Sequence, residues 1–185
     1  MADKRTYEVK TGFPVDFKNG WGLERVVLEA VSNQLPSGSQ GKTTSVRVKQ
    51  SGKYVDFRFA DPNVEVEEIQ IEDDGKGYDP RLLSTLLSFN RNNLQSVGQF
   101  GEGLKGVSTI SLRNNLTIQF RSRNWTADPY TVPEVIDGVT KDMLAFKITE
   151  NGEQINGSRT IFIKPPKDLV KEILDTGGHY NFGNI

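Results

Sequence analysis

The stretch TTSVRVKQSGKYVDFRFA, residues 43–60, decides the fold class of this chain. Its two halves alternate apolar and polar side chains, which is the pattern of strands that bury one face. Ser51 and Gly52 between the halves favour a tight turn. The stretch is therefore predicted to form a β-hairpin, with two strands that follow each other directly along the chain.

A helix and further strands are predicted on either side of this hairpin. Residues 64–73, VEVEEIQIED, are predicted to form a strand, and residues 79–89 a short helix with Asp79 as its N-cap and Pro80 at its first position. Before the hairpin, residues 22–35 are predicted to form a helix that Pro36 ends. Its apolar side chains recur every three or four residues: Leu23, Val26, Val27, Ala30 and Val31.

The second half of the chain adds one helix and three strands to this pattern. A helix is predicted from Leu104, and strands at 116–123, 143–150 and 159–164. Residues 90–103 have the polar, glycine-spaced composition of a loop, and residues 124–142 are interpreted as a surface insertion. Strands follow strands too often for a doubly wound parallel fold. We therefore predict one α/β domain over residues 1–185, a sandwich with a mixed, mostly antiparallel sheet.

Composition excludes several classes of protein. The 185 residues are 35% hydrophobic, and 23 basic residues against 24 acidic ones give no strong attraction to nucleic acid or anionic lipid. The lack of cysteine excludes disulfides and thiolate metal sites. No apolar run reaches the roughly 20 residues of a membrane span, and the N-terminus lacks a signal-peptide pattern. We expect an intracellular protein, cytoplasmic or, in a eukaryote, nuclear.

A glycine-lysine-threonine run suggests a phosphate-binding P-loop at first sight. Gly41, Lys42 and Thr43 match the end of the motif G-x-x-x-x-G-K-[ST], but Pro36 occupies the position of its first glycine. A P-loop also follows a strand and opens a helix, whereas this one follows a predicted helix and precedes a strand. We interpret it as a solvated turn.

Two other stretches carry stronger candidates for a nucleotide site. In EAVSN, Glu29 and Asn33 lie one helical turn apart and project together. A carboxylate can activate water, and an amide oxygen can bind Mg²⁺, although a solvated helix face would look the same. In IEDDGKG, Asp73 ends a strand and can accept a hydrogen bond from an exocyclic amine. Gly75 and Gly77 would let a flat ligand approach the backbone, although Asp-Gly turns are also common at strand ends.

A third stretch, VGQFGEGLKG, has glycines at positions 98, 101, 103 and 106. Its backbone amides could surround phosphate oxygens at the start of the following helix. Lys105 could place a positive charge near the terminal phosphates. Each of the three stretches is a weak signal alone, and glycine-spaced loops also occur where no phosphate binds.

In order along the chain, these stretches resemble the GHKL superfamily of ATPases, which includes gyrase-type topoisomerases, the ninety-kilodalton heat-shock chaperone, sensor histidine kinases and MutL. EAVSN resembles its asparagine box, DDGKG its first glycine box and GQFGEGLKG its second. Gly157-Ser158 resembles the Gly-Thr that precedes a late strand. The resemblance covers about residues 20–165, and residues 79–106 look most like the microrchidia (MORC) branch.

The resemblance implies a Bergerat-type two-layer sandwich with helices on one face, and a role for each matched residue. Glu29 would be the general base, Asn33 the Mg²⁺ ligand, and Asp73 the carboxylate that reads the adenine amine. Ser158, or else Thr160, stands at the late threonine. The remaining residues implied to contact ATP are Gly75, Gly77, Gly98, Phe100, Gly101, Glu102, Gly103, Leu104 and Lys105.

The implied function is that of a Mg²⁺-dependent switch that binds and slowly hydrolyses ATP. A lid of about residues 89–103 would close over the nucleotide, and closure would create a homodimer surface. One alternative is a nucleotide-sensing module without hydrolysis, because QLPSG follows Asn33 where the family has an acidic-and-alanine turn, and Ser32 replaces a frequent aspartate. Another is a kinase acting in trans, although the sole histidine, His179, lies in a glycine-rich tail.

Overall fold

A computed structural model describes residues 3–34, 41–84 and 100–177, with side chains described in those ranges except at 100–102 and 176–177. Within these ranges, eight strands form one sheet, and three α-helices pack on one side of it. The strands are β1 (Arg5–Pro14), β2 (Thr44–Gln50), β3 (Lys53–Asp56), β4 (Glu68–Asp73), β5 (Thr117–Ser122), β6 (Trp125–Ile136), β7 (Val139–Glu150) and β8 (Ser158–Ile163). The helices are α1 (Leu23–Gln34), α2 (Phe100–Arg113) and α3 (Lys167–Gly177).

The strands are ordered β1-β7-β6-β5-β8-β4-β2-β3, and each of these neighbouring pairs is antiparallel. The predicted α/β sandwich with a mostly antiparallel sheet is therefore confirmed. The order also places β4 between β2 and β8, although β8 lies far away in the sequence. The C-terminal end of β4 thus meets the start of β8 in space.

The predicted hairpin is formed by β2 and β3. Gln50 pairs with Lys53 across a two-residue turn in which Ser51 and Gly52 have φ of 49° and 74°. Positive φ at both positions matches the right-handed twist of the paired strands. The second strand is shorter than predicted, because the chain turns into a 3₁₀ helix at Phe57–Phe59.

The core lies between the helices and the covered face of the sheet. Helix α1 buries four of the five apolar positions that its periodicity indicated, Val26, Val27, Ala30 and Val31, and the fifth, Leu23, is partly buried. Helix α2 packs against α1 and contributes Leu104, Val107 and Ile110. The two helices are thereby fixed relative to each other, which matters because both carry candidate site residues. The sheet supplies, among others, Ile69, Ile71, Phe146, Ile148 and Phe162.

Several elements differ from the predictions. Helix α2 begins at Phe100 and not at Leu104, so the second glycine box is helical from that residue onward. Residues 125–136 are strand β6, which pairs with β7 through a turn at Asp137 and Gly138, both with positive φ. The segment interpreted as an insertion is therefore largely a hairpin within the sheet. Strand β1 and helix α3 were not predicted.

The predicted N-cap at Asp79 is confirmed. Its side chain accepts a hydrogen bond from the N–H of Arg81, and Pro80 begins a 3₁₀ helix that runs to Leu83. The rest of the predicted helix, residues 85–89, lies outside the described residues, as does most of the predicted lid. Among the helices of the described ranges, none is both long and apolar enough to cross a membrane.

Candidate functional site

The carboxylate of Asp73 lies at the centre of the candidate site. It ends β4, is 5% exposed, and accepts two hydrogen bonds from fixed donors. Oδ1 accepts the N–H of Gly75 at 2.8 Å, and Oδ2 accepts the hydroxyl of Ser158 at 2.5 Å. Burial raises the pKa of Asp73 above its usual value, and the two donors act against that rise.

Two glycines with positive φ allow the backbone to close tightly around this carboxylate. Gly157 has φ of 68°, and a Cβ atom there would lie 2.0 Å from the carbonyl oxygen of Asp73. Gly77 has φ of 69°, and its Cβ would lie 2.6 Å from Oγ of Ser122. Side chains are excluded at both positions by sterics and by backbone conformation. Gly77 was selected from the sequence, whereas Gly157 entered only as the neighbour of Ser158.

Strand β8 supplies two hydroxyl groups beside Asp73, both buried. Thr160 pairs with Ile71 of β4, and Ser158 lies two residues earlier on the same face. The hydroxyl of Ser158 contacts Asp73, while the hydroxyl of Thr160 lies 3.2 Å from the side-chain amide of Gln34. Of the two candidates for the late threonine, Ser158 is therefore the one that touches the carboxylate.

Gln34 is a site residue that the sequence analysis missed. It is the last residue of α1 and is 1% exposed, and its amide contacts Ser158 and Thr160. In the sequence, Gln34 belongs to QLPSG, the stretch after Asn33 that departs from the family pattern. One feature of the sequence could have identified Gln34. It directly follows Asn33, and this position places it on the opposite side of the helix end from Glu29.

Asn33 and Glu29 both lie on α1, as predicted. Asn33 is 8% exposed, and its Nδ2 has no hydrogen-bond partner within the described ranges. Its Oδ1 faces α2, where a Cβ on Gly103 would come within 2.5 Å of it. Glu29 forms an ion pair with Arg25, with Oε1 and Nη2 2.9 Å apart. The unpartnered Nδ2 is a hydrogen-bond donor, whereas a metal ion would take the oxygen Oδ1.

The second glycine box forms the first turns of α2. The first four N–H groups of an α-helix have no partner within the helix, so this end can bind anions. Leu104 belongs to the core, and Lys105 is 1% exposed with its ammonium 4.8 Å from the centroid of the Phe13 ring. Phe100, Gly101 and Glu102 are described only by their backbone, and Gly98 lies outside the described residues.

Tyr78 is a second residue that the sequence analysis missed. Its hydroxyl donates to the carbonyl of Asn33 at 3.2 Å, and its N–H donates to Oγ of Ser122 at 2.7 Å. Its own carbonyl accepts from the indole N–H of Trp125 at 2.9 Å. Burial raises the pKa of Tyr78, so it stays a neutral donor. Tyr78 thus holds the loop after Asp73 against the end of α1.

The P-loop-like run is occupied by contacts within the protein. The N–H groups of Lys42 and Thr43 donate to Oδ1 of Asp74 at 2.7 and 2.9 Å. These bonds hold the pKa of Asp74 below its usual value. The two amides therefore fasten the loop to the first glycine box, in agreement with the interpretation of Gly41-Lys42-Thr43 as a turn.

The site brings together groups of the kinds that a purine nucleotide and a metal ion would use. Asp73 offers a fixed, buried acceptor at one end of the site, and Asn33 and the start of α2 offer an unpartnered amide and helix N–H groups. Mg²⁺ usually keeps several water and phosphate ligands, so one protein oxygen can suffice. Asn33 is the residue that would hold it.

Comparison with known proteins agrees with this geometry. No curated protein matches the chain significantly. A protein family described as histidine kinase-, DNA gyrase B- and HSP90-like ATPase matches residues 19–169, which is most of the sequence. The match begins just before α1 and ends within α3, so it includes Asp73, Asn33 and Ser158. The chain therefore belongs to the histidine kinase-, DNA gyrase B- and HSP90-like ATPase family, whose domains bind ATP.

Proposed function

We propose that this domain is a Mg²⁺-dependent molecular switch that binds ATP and hydrolyses it slowly. The observation that carries the proposal is the buried carboxylate of Asp73, held by Gly75 and Ser158. A buried carboxylate is costly unless donors surround its oxygens, and here the N–H of Gly75 and the hydroxyl and N–H of Ser158 donate to it, so a ligand would meet it at a position that calls for a further donor. The exocyclic amine of adenine is a donor of the right kind for that position.

The phosphate end of the proposed site is formed by α1 and α2. The N–H groups at the start of α2 would bind phosphate oxygens, and Asn33 would hold the ion beside them. Bound Mg²⁺ neutralises charge on the transferred phosphate. Glu29 would orient the attacking water and accept its proton. Arg25 fixes the orientation of Glu29 through their ion pair.

The finer parts of the proposal are lid closure, dimerisation and slow turnover. Residues 89–103 would close over the triphosphate, and the closed form would associate into a homodimer, because relatives in the superfamily pair in this way. Conformational steps of this kind commonly limit turnover. Sedimentation with and without a non-hydrolysable ATP analogue tests the association, and a sedimentation coefficient unchanged by the analogue contradicts it.

We also propose that the chain belongs to the MORC branch of the superfamily and that the protein is intracellular. The branch assignment rests on the Ser-Phe that ends the stretch before the lid and on Lys105 after the glycine box. The location follows from the proposed substrate, because ATP is abundant inside cells.

Calorimetry with Mg²⁺ and a non-hydrolysable ATP analogue tests the central proposal. We expect the wild type to bind, Asp73→Asn to lose binding, and Glu29→Ala to bind while losing turnover in a phosphate-release assay. Asp74→Asn is the matched control, since the neighbouring carboxylate is exposed and holds only the Lys42 loop. Absent binding at millimolar analogue, or equal binding by Asp73→Asn, would refute the ATP site.

A nucleotide-sensing module without hydrolysis is the second candidate. The ion pair of Glu29 with Arg25 favours it, because a carboxylate oxygen engaged by a guanidinium at 2.9 Å is less available to accept a hydrogen bond from water. Measuring the hydrolysis of bound nucleotide distinguishes the ATP-hydrolysing switch from the sensing module. Bound nucleotide that is never hydrolysed over many hours, in the wild type and in Arg25→Ala alike, supports the sensing module. The kinase alternative has no support in the described ranges, which do not include His179.

A further inference from the structure

We propose that Gln34 is a positioning residue that fixes Asp73 as a pure hydrogen-bond acceptor and so makes the site prefer a 6-amino purine over a 6-oxo purine. The inference rests on the proposed ATP site and deepens it. It concerns a residue at which this chain departs from the family pattern after Asn33.

The orientation of the Gln34 amide follows from counting protons. If Oε1 faced Asp73, two acceptors would be in contact, and the single hydroxyl proton of Ser158 would have to serve both of them. With Nε2 facing Asp73 instead, the amide donates to Oδ2 of Asp73 and to the carbonyl of Ser158, the latter at 3.1 Å. Its oxygen then accepts the hydroxyl of Thr160 at 3.2 Å. This second arrangement satisfies every group.

The position of Gln34 gives its amide little freedom. The residue is 1% exposed, and its backbone carbonyl accepts the hydroxyl of Thr44 at 2.6 Å. The cavity beside Gln34, Tyr78 and Ser158 has a volume of only about 10 Å³, which is the lower limit for one water. The donor on this side of Asp73 is therefore a protein amide with a fixed direction.

This arrangement leaves Asp73 able to accept and unable to donate. Oδ2 receives protons from Ser158 and Gln34, Oδ1 receives the N–H of Gly75, and the backbone N–H of Ser158 also donates to the carboxylate. Since these protein partners are donors, the position at which a ligand would meet the carboxylate also calls for a donor. A 6-amino purine presents a donor to that position. A 6-oxo purine presents an acceptor, and the carboxylate would have to take up a proton to bind it. Two donors on Oδ2 oppose that protonation.

The test compares non-hydrolysable triphosphates of adenosine and inosine by calorimetry at neutral pH. We expect the wild type to prefer the adenosine compound by at least about a hundredfold, because a mismatch leaves buried polar groups unpaired. Gln34→Met keeps the size of the side chain but removes the donor, and should lower that preference about tenfold to a hundredfold. Thr160→Val removes the group that orients the amide and should lower it about threefold to tenfold.

Gln50→Met is the matched control. Gln50 is also buried, and its Nε2 donates to the carbonyls of Asp61 and Val64, at 2.8 Å each, away from the site. We expect this variant to lose stability and keep the wild-type preference.

The outcomes separate this inference from the proposed function. If the wild type does not bind the adenosine compound, both fail. If the wild type binds and Asp73→Asn does not, the ATP site stands, and the variants Gln34→Met and Thr160→Val then test the role of Gln34.

The ratio of the affinities for the adenosine and inosine compounds is the deciding quantity. If this ratio stays within about twofold of the wild-type ratio in both Gln34→Met and Thr160→Val, the inference is overturned. Equal losses for both nucleotides would show that Gln34 only fills space, which also overturns it. Thr160→Val keeps the test open if Gln34→Met does not fold.

Discussion

The proposed role of Asp73 requires an ionised carboxylate in a buried position, and this charge lowers the stability of the fold. Asp73 is almost fully buried, and burial is the main cause that raises its pKa. A carboxyl group with a higher pKa in the folded than in the unfolded protein binds its proton more tightly when folded. Its favourable contribution is complete below the unfolded pKa of about 4 and is lost as the pH rises through the folded pKa. At neutral pH the ionised side chain therefore lowers the free energy of unfolding.

Replacing this carboxylate should reverse that effect. We expect Asp73→Asn to be at least as stable as the wild type at about pH 8, with an advantage that shrinks as the pH falls toward about 5. Asparagine can accept the N–H of Gly75 through its oxygen and donate from its amide nitrogen to the hydroxyl of Ser158, but it carries no buried charge. Urea unfolding of both proteins across this pH range measures the difference. A variant that is clearly less stable at high pH would contradict the interpretation.

Gly157 shows how strongly one residue can be constrained beside the site. Its φ of 68° is unfavourable for any other residue, and a Cβ would lie 2.0 Å from a backbone oxygen that cannot move freely. We expect Gly157→Ala to lower the free energy of unfolding by about 3 kcal/mol or more. Gly152→Ala is the control, because its nearest neighbour would be 3.4 Å away, and it should cost less than about 0.5 kcal/mol. Similar costs for the two variants would show that the strand junction relaxes.

Among the elements, the loop between β1 and α1 is held by side chains of α2, and most of these bonds come from Arg113. The guanidinium of Arg113 donates to the carbonyls of Val15, Phe17, Lys18 and Trp21 at 2.7 to 3.4 Å. Burial lowers the pKa of Arg113, as expected for a charge that several carbonyls must solvate. Trp21 in turn lies against Gly106 and under the cations of Lys18 and Arg25. The loop therefore links α2 to the start of the helix that carries Glu29.

Loss of this guanidinium should loosen the loop. Lysine offers three donors from one point and cannot span four carbonyls, so we expect Arg113→Lys to cost about 1–3 kcal/mol. Amide exchange should become faster over residues 15–22 and stay unchanged in β7. Arg81→Lys is the control, because that guanidinium is exposed and its ion pair with Asp79 contributes little. Unchanged exchange in the loop of Arg113→Lys would contradict the assignment.

The sequence predicts the elements best where a single face is buried. Helix α1 was predicted within one residue at each end because its apolar stripe is regular. Strand β1 was missed because it is an edge strand in which half of the positions are exposed and only Thr11 is fully buried. Strand β6 was missed because Pro129, Pro133 and charged residues interrupt its alternation, and its outer half is partly exposed. Helix α3 had a readable signal in Leu169, Val170, Ile173 and Leu174, which recur at helical spacing.

At the scale of the whole molecule, the site depends on contacts that no local pattern encodes. Asp73 and Ser158 are 85 residues apart and meet only because β8 lies next to β4. Resemblance to a family anticipated that pair, since the motifs were already known to belong together. It could not anticipate Gln34, because there this chain departs from the pattern. The contact of Tyr78 with Asn33 was missed for a related reason, since it requires the three-dimensional arrangement of the loop after β4.

Because α1, α2, β4 and β8 share one core and together form the site, nucleotide binding should stabilise the domain as a unit. At a concentration of about one hundred times Kd, a ligand adds about 2.7 kcal/mol to the free energy of unfolding. For a domain of this size, that corresponds to a rise in Tm of roughly 5–10 °C. We expect this shift with Mg²⁺ and the ATP analogue in the wild type and in Asp74→Asn, and no shift in Asp73→Asn. Differential scanning calorimetry should show one transition that moves as a whole. A second transition whose temperature does not change with the ligand would mean that part of the sheet unfolds independently of the site. The expected coupling between the site and the sheet would then be wrong.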